Sequence, residues 1–234
     1  MKGVVESEFV RPVLLGESII PYRVLPPREA VLPLEKTELL DGSHPHLDFY
    51  PGLAEWWRGA EQSWNENRRS DRMTLRERLD FRRGLTSQLP ASPLRVVYRA
   101  SGMHVVAALV EAPNAVAEHK LYWGTVTSRE EGWYLCAILN CPELTQMVRP
   151  LMSYGKDERD IDKHVWKLPI PTYDPDAPAH RRLSELGQKE AELVAALDFD
   201  EQASYITLRQ RVRQALAAGP QAAEIEDIVT GLIG

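Results

Sequence analysis

The chain has 234 residues, 44% hydrophobic and 26% charged, an ordinary balance for a globular protein long enough to bury a core without disulfides or metal. Its net charge of -6 weighs against nucleic acid as a partner, because phosphate contacts need Lys and Arg. The acidity is uneven: residues 174–234 hold 6 Lys+Arg against 11 Asp+Glu, whereas residues 52–120 hold 11 against 8, so a local basic face is compatible with the acidic total.

Residues 1–10 lack the apolar run of a secretory leader, and no stretch approaches the ~18 apolar residues of a membrane span. Cys136 and Cys141 have no zinc-like spacing and read as buried thiols in a reducing, cytoplasmic setting.

In chain order, seven prolines between Pro12 and Pro51 make residues 1–51 extended and loop-rich, with short strands expected around Val13–Leu15, Val24–Leu25 and Val31–Leu34. So early a proline-bounded apolar run suggests that the chain once continued upstream, as part of a larger or split enzyme. Leu53, Trp57, Ala60 and Trp64 recur at helical spacing and predict a helix over 52–69. A second helix is expected over 74–83, opened by the Thr74/Glu77 capping box and closed by Gly84. LRVVYRA and MHVVAALVEA read as a hairpin turning at Ser101-Gly102, and HKLYWGTV as a third strand.

Ser128 and Glu131 cap a helix over 129–141, and Pro142 opens the next. Residues 153–163 form a charged loop, and VWKLPIP reads as a short strand. After the punctuation of residues 174–180 come three helices: one to about Leu197, then 203–218 and 222–233. The expected fold class is α+β: a small mixed sheet with packed helices over residues 1–173, followed by a C-terminal helical segment over 174–234. That segment would pack on the first region or on a missing catalytic domain.

No complete catalytic constellation is present. The sequence lacks an Asn/Asp-Pro-Pro-aromatic loop, a phosphate-cradling Gly-rich loop, a nucleophile elbow and a metal-like His pair. His44-Pro45-His46 is read as a solvated loop. Glu118-His119-Lys120 matches half of a Mg²⁺ nuclease motif, with Glu111 as an imperfect upstream acid.

Arg69, Arg72, Arg76 and Arg83, spaced by 3, 4 and 7, would share one face of a continuous helix, with Arg68, Arg78 and Arg82 adding to the field. The loop 153–163 sets Lys156, Arg159 and Lys163 among four acids, a mixture suited to reading base edges. Trp56 and Trp57 cannot both face inward from one helix, which frees one for an interface.

Four ordered segments resemble the C-terminal target-recognition region of type IIG restriction–modification enzymes and N-6 adenine-specific DNA methyltransferases. They are FVRPVLLGESIIPYRV, LRVVYRASGMHVVAALVE, HKLYWGTVTSREEGWYLCAILNCPEL and RDIDKHVWKLPIPTYDPDAPAHRRLSEL, together covering about residues 8–195. The resemblance implies a chain that recognises double-stranded DNA beside a separate methyltransferase or nuclease domain or subunit. S-adenosylmethionine would belong to that other domain, and no cofactor, metal or catalytic residue to this one.

Relatives often carry Ser-Arg-Gly where this chain has Ser153-Tyr154-Gly155, so an arginine contact there would be lost or replaced by Tyr154. The DNA-binding candidates are therefore Arg68, Arg69, Arg72, Arg76, Arg83, Lys120, Ser153, Tyr154, Lys156, Arg159 and Lys163. Two other readings stay open: a protein-binding or DNA-mimicking module, favoured by the acidic C-terminal third, and a Mg²⁺-dependent nuclease through Glu118 and Lys120.

Overall fold

Prolines and capping residues divide the chain into short strands followed by longer helices, as a computed structural model describing residues 3–154, 159–200 and 203–234 shows. The first elements are β1 (Val10–Leu14), β2 (Ile19–Ile20), β3 (Arg23–Val24), β4 (Arg28–Val31), β5 (Leu34–Glu35) and β6 (Glu38–Leu39). Helices α1 (Pro51–Asn67) and α2 (Leu75–Leu79) precede β7 (Arg95–Arg99), β8 (Ala107–Val110), β9 (Val116–Ala117) and β10 (Leu121–Thr125). Then come α3 (Arg129–Asn140), α4 (Pro142–Val148), β11 (Ser153–Tyr154), β12 (Arg159–Asp160), α5 (Pro178–Ala196), α6 (Tyr205–Ala217) and α7 (Ala222–Ile233). The fold class is α+β, with small sheets and C-terminal helices. Among the described residues no helix is long and apolar enough to cross a membrane.

Two compact units interleave along the chain. The first takes residues 1–13, 28–92 and 114–119; the second takes 14–27, 93–113 and 120–234, C-terminal helices included.

In the first unit β1 lies between β4 and β9, and α1 buries Leu53, Ala54 and Trp57 against Phe9, Leu40 and Leu47. Trp57 is the inward member of the tryptophan pair; Trp56 is half-buried beside it. The Glu6 carboxylate caps the start of α1, accepting from the backbone N–H groups of Gly52 and Leu53 at 2.9 and 2.8 Å.

In the second unit β7 is the centre of an antiparallel sheet ordered β10-β7-β8. Val96, Val97 and Tyr98 are all fully buried, so both faces of the strand are covered. Helix α3 packs on the face that carries Val96, Ala107 and Leu109, and α5 packs on α3. Ser128 caps α3 as expected, its hydroxyl accepting from Glu131 N at 3.1 Å, while the Glu131 carboxylate turns back to Thr127 N and Oγ1.

Two glycines set the spacing. A Cβ at Gly132 would stand 2.6 Å from a Leu109 methyl, and one at Gly187 would stand 2.3 Å from the Trp133 carbonyl oxygen. Arg209, on α6, reaches β2: its Nε donates to Ile19 O at 2.8 Å and its Nη2 to Gly16 O and Ile19 O. Arg182 ties α5 to α7 through both carboxylate oxygens of Glu224, at 2.6 and 2.8 Å. Cys136 and Cys141 are free, buried thiols, with burial pushing both up from their ordinary values.

Two strand expectations need correction. The β7–β8 pairing closes at Tyr98 and Ala107, leaving eight residues between them instead of a tight Ser101-Gly102 turn. Helices α3 and α4 take that segment: Val105 N donates to Thr145 Oγ1 at 3.2 Å and Ala107 N to Asn140 Oδ1 at 3.0 Å. The VWKLPIP segment is no strand. Residues Asp162–Lys167 form a 3-10 helix, with His164 N and Leu168 N bonded three residues back. Pro169 and Pro171 then cannot donate to a ladder.

Gly187→Ala should force α3 and α5 apart and lower the unfolding free energy by about 1–3 kcal/mol in denaturant titration. Gly231→Ala is the control: nothing stands within 4 Å of its added Cβ, so helix propensity should raise stability by up to about 1 kcal/mol.

Glu190, on α5, is 2% exposed, and burial pushes its carboxyl up to about 7 from an ordinary 4.5. A raised acid is neutral in the fold while the unfolded chain ionises. Its contribution is therefore whole below pH 4.5 and is lost as pH rises to about 7. Relative to wild type, Glu190→Gln should gain about 2–3 kcal/mol of stability between pH 4 and pH 8. A stability difference that is flat across that range would contradict this.

Candidate nucleic-acid interface

The predicted arginine stripe belongs to the first unit. It is not one helix face. Helix α1 ends at Asn67, and Arg68 is extended. The Thr74 capping box starts α2 afresh, with Thr74 N donating to Glu77 Oε2 at 2.7 Å. After α2 the Asp80 carboxylate accepts from Leu85 N, Thr86 N and Thr86 Oγ1 at 2.6–3.0 Å. That turn holds Arg82 and Arg83 at φ 55° and 58°, outside any right-handed helix.

Two of the five candidates are engaged within the fold. Arg68 pairs with Asp71 at 2.9 Å, and Arg76 Nε donates to Leu39 O at 2.9 Å. Arg69, Arg72 and Arg83 are exposed.

The other candidates gather in the second unit, around one end of the β10-β7-β8 sheet. Lys120 sits exposed on the turn into β10, and its carbonyl accepts from Ala100 N at 2.8 Å. The Ala100 carbonyl accepts from Asp162 N, also at 2.8 Å, and Ser101 bridges to Asp160 of β12. The chain after β7 thus links the lysine turn to the β11–β12 pair and to the 3-10 segment carrying Lys163. Ser153 pairs with Asp160 and Tyr154 with Arg159, so the expected charged loop is a two-stranded hairpin at its base. Lys156, at residues 155–158, lies outside the described residues.

Asp162 is the fixed point of this region. It has φ 45°, a conformation Asp tolerates better than most residues. Two phenols hold it: Tyr98 OH donates to its carbonyl at 2.8 Å, and Tyr122 OH to its carboxylate Oδ1. The carboxylate disfavours a phenolate beside it and pushes Tyr122 up to about 12. The Tyr98 ring stacks on Tyr122 and meets Trp166 edge-on, each at 5.6 Å between centroids.

Trp166 lies beside Gly124 of β10, yet it is 41% exposed. Lys163 holds its Nζ 6.0 Å from the Tyr122 ring centre, and His164 Nδ1 is 2.9 Å from Lys167 Nζ. A cavity of about 260 Å³ opens between Ala100, Tyr122, Asp160, Asp162 and His164. The arrangement sets cations beside an exposed indole and a half-buried phenol, around a fixed carboxylate. It can meet phosphate, stack on a flat ring and accept from an amino group.

Sequence reasoning missed Tyr122, Asp162 and Trp166. The signal was the period-two spacing of Tyr122 and Gly124, which puts a phenol and a gap on one face. The nuclease motif is divided: Glu118 belongs to the first unit and Lys120 to the second. Glu111 is ion-paired with Arg129, and among the described residues no group of three or more His, Cys, Asp or Glu could hold a metal.

No family model and no curated protein matches the chain. Among solved structures it is similar to the type IIG restriction endonuclease BpuSI. That similarity has 14% sequence identity and a TM-score of 0.47, over 98% of this chain and 27% of that one. The chain thus spans about a quarter of the length of the enzyme it matches.

In alkaline absorbance titration, the wild-type minus Tyr122→Phe difference should show little phenolate at pH 10.5, because the shielded hydroxyl ionises near 12. A difference midpoint near 10, the ordinary phenol value, would remove Asp162 as its partner.

Proposed function

We propose that the chain binds duplex DNA as the target-recognition region of a restriction–modification enzyme. One observation carries this reading: backbone bonds through Ala100 and Ser101 join the Lys120 turn, the base of the Ser153–Asp160 hairpin and the segment that carries Lys163 and the exposed Trp166. Lysines would grip phosphates and set register, which carries no sequence information. The hairpin, with Tyr154 and Arg159 on its arms, would enter a groove, where base edges carry that information. Arg69, Arg72 and Arg83, exposed on the first unit, are further candidates for phosphate contact. The resemblance of residues 8–195 to recognition regions supports the same reading and adds the partner, a methyltransferase or nuclease domain.

That domain would hold S-adenosylmethionine and take the flipped adenine, while this chain supplies grip and sequence choice.

Duplex binding should weaken steeply with salt. Replacing Lys120 and Lys163 together with Ala should lower affinity for all duplexes alike, about 10-fold or more at 0.1 M salt. It should also make the plot of log affinity against log salt shallower by about two, one counterion per lost contact. Affinity that ignores salt, or an unchanged slope in the double variant, would remove this face from the account. Binding of a basic protein partner in place of DNA would favour the acidic helices as a docking module.

A further inference from the structure

Away from the sheet end, the second unit carries a separate, partly open pocket of about 420 Å³, within the size range of small-molecule sites. Helices α4, α5, α6 and α7 and the turn between β2 and β3 contribute to its wall. Much of the lining is apolar, with Val105, Leu216 and Ile225 among the wall residues.

Among His104, Glu190, Arg213 and Glu226 on the wall, Glu190 alone is buried. It is 2% exposed, and among the described residues its Oε2 accepts no hydrogen bond. A buried acceptor left in this state costs free energy that an N–H donor would recover. Burial holds the carboxyl neutral to about pH 7, and a cationic donor would draw it into the ionised form. Nearby polar wall groups do not occupy this role. The Thr145 hydroxyl accepts from Val105 N, and Asn140 is committed to Ala107 and Cys136. Arg213 lies half-buried on the wall, and burial lowers it from its ordinary value.

We propose that this cavity binds a small, largely apolar molecule that presents an amine or amidine N–H group to Glu190. The apolar wall takes the ligand body and the carboxylate selects its donor end. The site lies outside the proposed DNA face, so its ligand would be an effector or cofactor and no part of the DNA. Above about pH 7, where the carboxyl ionises, a ligand carrying only an acceptor group would meet the Glu190 oxygens as repulsive neighbours.

Three probes of similar size separate the alternatives: benzamidine, benzoate and toluene, titrated calorimetrically into the full chain at pH 8. The proposal expects saturable benzamidine binding that is at least 10-fold weaker in a folded Glu190→Gln variant. It also expects benzoate and toluene to bind at least 10-fold more weakly than benzamidine. A second variant, Ala217→Trp, narrows the cavity wall on α6 and leaves Glu190 in place; it should abolish benzamidine binding in a protein with wild-type circular dichroism. Absent benzamidine binding, equal binding of benzoate or toluene, or undiminished binding in either folded variant would overturn the proposal.

Discussion

Helix α3 is held on two sides by close approaches at glycine positions, and the rest of the second unit is arranged around it. On one side Gly132 lets Leu109 of β8 reach the helix; on the other the Trp133 carbonyl meets α5 at Gly187. Such contacts are close-packed and leave little room to give. They fix the helical layer against the central strand, and with it the sheet whose end presents Lys120 and Tyr122. Tyr134 of α3 extends the same order outward, since its hydroxyl donates to Pro171 O at 3.0 Å and its ring lies 4.8 Å from His180.

A second, polar constraint shapes the sheet end. The Tyr98 hydroxyl comes from the fully buried centre of β7 and the Tyr122 hydroxyl from its neighbour, and both converge on Asp162. Strand order therefore reaches the 3-10 segment through two phenols, which fix where Lys163 and Trp166 stand. Rigid positioning of this kind suits recognition: side chains held by packing lose little freedom when a partner arrives. The hairpin beyond is tied at its base by the Ser101–Asp160 bridge.

Much of this was legible in the sequence, and where it failed the reasons are physical. Ser128, Pro142 and the apolar period of α1 announced their helices, because caps and helical spacing are local signals. The arginine stripe misled because its spacing presumes an unbroken helix. The Thr74 cap and the Asp80 carboxylate break it with hydrogen bonds that spacing does not display. The strand expected at VWKLPIP failed for a similar reason: β-branched and aromatic residues favour strands, but its prolines leave no donors for a ladder. Asp162 and Trp166 were invisible because their role depends on Tyr98 and Tyr122, 64 and 40 residues away from Asp162. The cavity beside Glu190 was equally hidden, because α4, α5, α6 and α7 bring its wall together from separate parts of the chain.

The DNA reading makes a demand that the acidic total charge does not: the contact must be local, at the end of one sheet. Trp166 is a reporter at that spot, while Trp57 is buried in the first unit and serves as an internal reference. The most direct measurement is a duplex titration followed by the indole N–H resonances of the chain in two-dimensional NMR, with Trp166 assigned by its Trp166→Phe variant. The account predicts that the Trp166 signal moves with saturation and is restored by added salt, while Trp57 stays in place. A Trp166 signal unmoved by duplex at low salt would contradict it.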